Sequence, residues 1–421
     1  MTTASPVWHP FTQHGLREPI PQVISASGAH LHCADGRTLL DGISSWWVIT
    51  HGHCEPRITA AIADQASRLD QLIFAGYTHG PAEALAHSLV RLTPAGLSRV
   101  FYSDSGSTAV EVALKMALGH WYNRGEPRHR IVVMEHSYHG DTIGTMSVGE
   151  RGAFNRAYAP LLFDVATVPF PAAGAEQATL DALERLCAAP DKPAAFIVEP
   201  LVLGSGGMLF YGPDVLAQMV AICRAHGVLF IADEVMTGWG RTGSLFAFDQ
   251  VDTAPDILCL AKGLTGGAIP LAVTLASEAI FESHYSETRA DMFFHSSSFT
   301  ANPIACAAAN ANIAIWDGED VRGRIAALGA ALDAGLASLA GDSQFANPRR
   351  MGAIAAVDLI VADAGYLSAV APTLRAHFLE RGLLLRPLGN TIYAMPPYCM
   401  NAAGVERIFA AIGEAAEIVA P

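Results

Sequence analysis

From about Pro56 onward, the apolar residues of this chain follow two alternating rhythms. Continuous apolar runs rich in β-formers, Val228 to Ala232, Ile257 to Leu260 and Leu271 to Ala276, predict strands buried on both faces. Shorter runs predict strands at Arg99 to Tyr102, Arg130 to Met134 and Ala194 to Val198. Apolar residues at helical spacing predict helices over Pro81 to Leu92, Ser105 to Arg124 and Pro213 to His226. Gly227 ends the last of these. Such alternation predicts an α/β fold with a mostly parallel sheet flanked by helices. Past Pro303 the chain turns into Ala-rich helix. Strands at Ile354 to Leu359, Leu383 to Leu385 and Thr391 to Ala394 then mix with helices at Tyr366 to Glu380 and Ala402 to Ile418, which predicts a smaller α+β domain. The expected division is an N-terminal segment over 1–53 packing with the small domain and the active site, a large domain over 54–315, and a small domain over 316–421.

Composition narrows the classes. With 421 residues, 51% hydrophobic and 16% charged, the chain has ample material for a core and little sign of disorder. A net charge of −14 argues against nonspecific nucleic-acid binding, which needs basic patches. The 7 cysteines are scattered and never form a C-x-x-C pair, as expected of free thiols in a reducing cytoplasm. Met1 to Pro6 lacks the basic and apolar regions of a secretory leader, and no apolar run reaches membrane-spanning length.

Candidate chemistry sits at strand ends. Asp233 closes one apolar run, and Lys262 follows the next and precedes Gly-Leu-Thr-Gly-Gly. Both therefore belong at the carboxyl edge of a parallel sheet, where ligands bind. A lysine there forms a Schiff base with a carbonyl cofactor, and an aspartate holds a pyridinium nitrogen protonated. Pyridoxal 5'-phosphate (PLP) chemistry needs that pair. Glu234 competes with Asp233, because alternation sends the two side chains to opposite sides and the spacing does not choose between them. Ser103 to Thr108 lies between a strand and a long helix, where free N–H groups can receive a phosphate or merely be capped. Tyr138 follows a strand and could stack on a ring or cover the core.

Two motifs point elsewhere. Gly238-Trp239-Gly240-Arg241-Thr242-Gly243 matches a dinucleotide fingerprint, yet no helix pattern follows it; a glycine-rich loop beside the active site is the better reading. His51-Gly52-His53-Cys54 lacks the further ligands of a zinc site.

Taken together, Asp233-Glu234-Val235, Gly240-Arg241-Thr242-Gly243, the Lys262 segment and Phe299-Thr300-Ala301-Asn302-Pro303 resemble the class III (ω-amino) branch of fold-type-I PLP aminotransferases. Trp8-His9-Pro10-Phe11-Thr12-Gln13, Ser44-Ser45-Trp46-Trp47, Tyr138-His139-Gly140-Asp141-Thr142 and Met395-Pro396-Pro397-Tyr398 narrow the resemblance. They are similar to the branch acting on S-adenosylmethionine and 8-amino-7-oxononanoate in biotin biosynthesis.

The resemblance implies that Lys262 bonds PLP, that Asp233 rather than Glu234 meets the ring nitrogen, and that Gly106 and Ser107 bind the phosphate. Tyr138 would stack on the cofactor and line the substrate site. Ser297 and Ser298 would complete the phosphate site of a neighbouring subunit, implying a homodimer with shared active sites. Trp46 and Trp47 would wall the substrate pocket, Arg386 would clamp a substrate carboxylate, and Arg241 would stand near the substrate. Two positions depart from the pattern: Phe11 replaces a tyrosine of some members, and Ser296 replaces a glycine. Other class III ω-transaminases, a PLP-binding regulator, and a decarboxylase or mutase on the same fold are the competing readings.

Overall fold

The computed structural model describes residues 5–419, so Met1 to Ala4, on which the leader expectation partly rests, lie outside the described residues. Its centre is a seven-stranded sheet. In spatial order the strands are Leu97–Ser103, Ala272–Ser277, Ile257–Leu260, Leu229–Asp233, Ala195–Val198, Ile131–Met134 and Ala166–Val168. Only Ala272–Ser277 runs antiparallel to its neighbours; the remaining pairings are parallel. The Ile131–Met134, Ala195–Val198 and Ile257–Leu260 strands are buried at every position, which explains why they read as unbroken apolar runs rather than alternations.

Helices cover the sheet. Gly106–Asn123 buries Ala109, Val110, Val112 and Ala113 in an apolar cluster with Ile131, Ile197 and Ile231. Pro213–His226 starts on a proline and stops at Gly227, whose φ of 64° is the left-handed geometry that ends helices.

A four-stranded sheet contains Val23–Ser27, His30–Cys33, Thr38–Asp41 and, parallel to the last, Leu383–Leu384. The N-terminal segment is thereby tied to the C-terminal part of the chain. There, Phe345–Met351, Ile354–Leu359 and Thr391–Ala394 form an antiparallel sheet. The Phe345–Met351 strand was not expected, and one expected bound shifts. The helix expected from Tyr366 begins only at Val370, because Asp363 ties the preceding turn by accepting hydrogen bonds from the Ala369 N–H (2.7 Å) and the Ser368 hydroxyl (3.1 Å). The Ala166–Val168 strand and the Glu176–Ala188 helix have no counterpart in the sequence reading. Among the described residues no helix is long and apolar enough to cross a membrane.

Candidate active site

Parallel pairing sets the site. Asp233 pairs in register with Cys259, and Ala232 pairs with Val198. Asp233, Glu199 and the Lys262 turn therefore emerge together at the carboxyl edge of the sheet. They line one cavity of about 380 Å³, joined by Trp47, Asp104, Ser105, Gly106, Ser107, Tyr138, His139 and Gly140.

The two adjacent acids part company. Asp233 faces the cavity; its Oδ1 accepts the Val235 N–H at 3.0 Å, and its Oδ2 lies 2.7 Å from His139 Nδ1. Glu234 is fully buried on the other side, accepting the N–H groups of Ala247 (2.7 Å) and Phe248 (3.0 Å) and the Thr237 hydroxyl. Burial raises its pKa to about 7. Its carboxylate is committed to the turn over Ala247–Gln250.

Lys262 opens a short turn, Lys262–Thr265, with φ of 44°. Its amine lies 5.2 Å from the Trp47 ring centroid and has no hydrogen-bond or ion-pair partner among the described residues. Burial lowers its pKa, while Asp233 and Glu199 pull the other way and Arg241 adds to the lowering. A lysine so placed loses its proton more readily than one in water.

Ser105 caps the Gly106–Asn123 helix in a reciprocal capping box with Thr108. The first helical residues thus open onto the cavity with their N–H groups free for an anion. A Cβ on Gly106 would fall 2.6 Å from Val235 Cγ1, and one on Gly140 would strike Ser107 Oγ. Small residues there keep the helix start accessible.

Tyr138 is half-buried; its N–H donates to Glu199 Oε1 (3.0 Å) and its hydroxyl to Asp141 (2.8 Å). Glu199 also accepts the Gly204 N–H at 3.0 Å. Burial raises its pKa to about 7, with His139 opposing the rise and Asp233 adding to it. The sequence reading missed Glu199, although it follows a buried strand just as Asp233 does.

The tryptophans split. Ser44, Ser45 and Trp47 hold positive φ, braced by the Asp41 carboxylate, which accepts the N–H groups of Ile43 and Ser45. This reversal turns Trp47 inward, its indole N–H donating to the Tyr393 hydroxyl at 2.8 Å, and leaves Trp46 46% exposed. Phe11 meets Trp46 with ring centroids 5.7 Å apart and Phe154 at 5.9 Å. The Arg386 guanidinium lies 5.7 Å from the Trp46 ring and donates to the Phe11 carbonyl at 3.0 Å. Phe11, Trp46 and Arg386 thus gather outside the lysine cavity.

Arg241 does not line that cavity. It is buried, and its guanidinium donates to the carbonyls of Trp47 (3.2 Å), Ile49 (2.8 Å) and Pro396 (3.4 Å). Arg241, expected near the substrate, fastens the backbone behind Trp47. Ser296 and Ser298 are exposed and also lie outside the cavity lining. Ser297 donates to Asp104 of its own chain, and the Ser298 carbonyl accepts from Gln71 at 2.5 Å.

The two decoys resolve by contact. Gly240 and Gly243 hold φ of 93° and 104° in a turn closed by the Gly243 N–H donating to the Gly240 carbonyl, and a Cβ on Gly240 would strike Ile325. His51 pairs with Asn312 and His53 with Asp41, so the two rings face different partners.

The family model for class-III aminotransferases matches residues 13–416. The adenosylmethionine-8-amino-7-oxononanoate aminotransferase of Synechococcus elongatus is 47% identical over 97% of both chains. The crystal structure of the Methanocaldococcus jannaschii protein of the same name superposes with a TM-score of 0.93 at 31% identity, covering 98% of this chain and 97% of that one. A PLP-bound amine transaminase from an uncultivated Pseudomonas species also superposes at 0.93, with 31% identity over 99% of both chains.

Proposed function

We propose, from the premise that this chain belongs to the class-III aminotransferases, that it uses PLP to move an amino group from S-adenosylmethionine to the ketone of 8-amino-7-oxononanoate, a step of biotin biosynthesis. One observation carries the chemistry: an amine, a carboxylate and a helix start converge on a single cavity. The choice of substrates is supported by relatives of that name at 47% and 40% identity, each over nearly the whole chain.

The residues fit PLP. Gly106 and Ser107 would hold its phosphate, because the helix start is open and side chains larger than glycine would crowd it. Asp233 would hold a proton on the ring nitrogen, with His139 fixing the carboxylate. Tyr138 would cover a ring face, and Lys262 would bond the aldehyde carbon. When bound, PLP draws electrons away from the substrate Cα, which lets that carbon release its proton. Lys262 takes that proton from the donor and, in the second half-reaction, returns one to the acceptor carbon that gains the amine. Trp47 lies over the lysine and keeps water from it. The two substrates use the same lysine in turn, so kinetics are ping-pong.

A homodimer completes the reading. Ser298 is exposed beside exposed Phe294 and Phe299, and Gln71 joins this segment to the stretch bearing exposed Ile73 and Tyr77. Exposed apolar side chains on two linked segments suit a subunit interface, from which Ser298, with Ser297 beside it, would approach a neighbouring phosphate.

The test is a pair of half-reactions. S-adenosylmethionine should convert the yellow PLP form to the pyridoxamine phosphate form, and 8-amino-7-oxononanoate should restore it. Conversion by ω-amines alone would instead assign the protein to another class-III activity.

A further inference from the structure

A second cavity of about 150 Å³ lies against Tyr138, which lines both spaces. Its walls include Asp141, Phe154 and Tyr366. Phe154 and Tyr366 come from distant parts of the chain and meet with ring centroids 4.3 Å apart. Phe154 also faces Tyr138 at 6.2 Å and Phe11 at 5.9 Å. Phe11 meets Trp46, over which Arg386 lies. Aromatic rings thus run unbroken from the lysine cavity to the Arg386 guanidinium.

Free polar groups on this run are few. The Tyr138 hydroxyl is spent on Asp141. Arg386 gives one N–H to the Phe11 carbonyl and has no acidic partner among the described residues. The hydroxyl of half-buried Tyr366 has no hydrogen-bond partner among the described residues. The backbone carrying it is nonetheless fixed. Asp363 ties the turn at Ser368 and Ala369, and the Gly365 N–H donates to Asn390 Oδ1 at 2.8 Å. Burial raises the Tyr366 pKa, with Arg386 opposing, so the group remains a phenol and a donor near neutral pH.

The function proposed above supplies two carboxylates. That of S-adenosylmethionine adjoins the reacting carbon and must sit beside Lys262. That of 8-amino-7-oxononanoate ends an apolar chain, far from the ketone. Only the second suits an aromatic-lined run leading away from the lysine toward a cation. We propose that Tyr366 is a specificity-determining residue of the acceptor half-reaction, its phenol donating a hydrogen bond to the remote carboxylate whose charge Arg386 neutralises. Phe154 holds the Tyr366 ring in place by packing against it at a tilt of 56°.

The experiment rests on the function proposed above and separates the two claims. The pyridoxamine phosphate form of wild type and Tyr366→Phe is mixed with 8-amino-7-oxononanoate and with its carboxamide analogue. The PLP form of each is mixed with S-adenosylmethionine. Tyr366→Phe should raise the acceptor KM roughly tenfold, the scale of one lost hydrogen bond to a charged group. It should leave kcat and the donor half-reaction within about twofold, and the carboxamide should respond far less. An unchanged acceptor KM, or an equal loss with the carboxamide, overturns the role of Tyr366 while the parent function stands. A wild-type pyridoxamine phosphate form that ignores the acceptor overturns both.

Discussion

His139 and Asp233 are both buried, with Nδ1 2.7 Å from Oδ2. An ionised carboxylate only accepts hydrogen bonds, so the imidazole donates its Nδ1–H. The pair holds the carboxylate in one rotamer facing the cavity. Asp233→Asn should keep the fold and reduce turnover by roughly 100-fold or more, because the ring nitrogen loses its anionic partner. Circular dichroism checks the fold and kcat the chemistry; near-normal turnover would remove Asp233 from the mechanism.

Gly140 has φ of 134° and packs on Ser107 at the helix start. Gly140→Ala adds a methyl that collides with the Ser107 side chain and lies 3.0 Å from its Cα. PLP affinity should fall at least about tenfold, the order expected when a closely packed site must shift to make room. Gly174→Ala, with φ of 82° and open space around it, carries similar backbone strain without the crowding and should leave PLP affinity unchanged. Equal effects of the two changes in a PLP titration would place the phosphate elsewhere.

Arg241 donates to three backbone carbonyls behind Trp47. Arg241→Met should therefore cost stability, about 2–5 kcal/mol by urea denaturation, since buried acceptors lose their donors. A variant of unchanged stability but raised substrate KM would return Arg241 to the substrate side.

Glu199 gives a pH signature. Its folded pKa, about 7, lies above its ordinary value of 4.5 because of burial. Between those values the folded state binds more protons than the unfolded state, so the stability contribution is full below 4.5 and is lost as pH rises through about 7. The melting temperature of Glu199→Gln relative to wild type should therefore increase from pH 5 to pH 7.5. A difference that stays flat would show that Glu199 is ionised across the range.

Much of this was legible in the strands. Buried parallel strands carry their own signature, and the residue at the end of each lands at the sheet edge, so the apolar runs alone place Asp233 and Lys262 together. The helix start at Gly106 followed from the same logic. Periodicity could not resolve the side chains of Asp233 and Glu234; Glu234 turns away because the Ala247–Gln250 turn supplies N–H groups to it. The carbonyl partners of Arg241 were not legible either, because a buried guanidinium bonded to carbonyls looks the same in sequence as one awaiting a carboxylate. Phe154 and Tyr366 left no local signal, since only tertiary packing brings those rings together.

The most direct measurement is chemical mapping of the cofactor's partner. The PLP-loaded protein is reduced with borohydride, digested, and searched by mass spectrometry for the pyridoxyl-bearing residue. The label should sit on Lys262 and vanish, together with the yellow absorbance, in Lys262→Ala. A label on any other lysine, or an unchanged visible spectrum in the variant, would contradict the site built around Lys262 and Asp233.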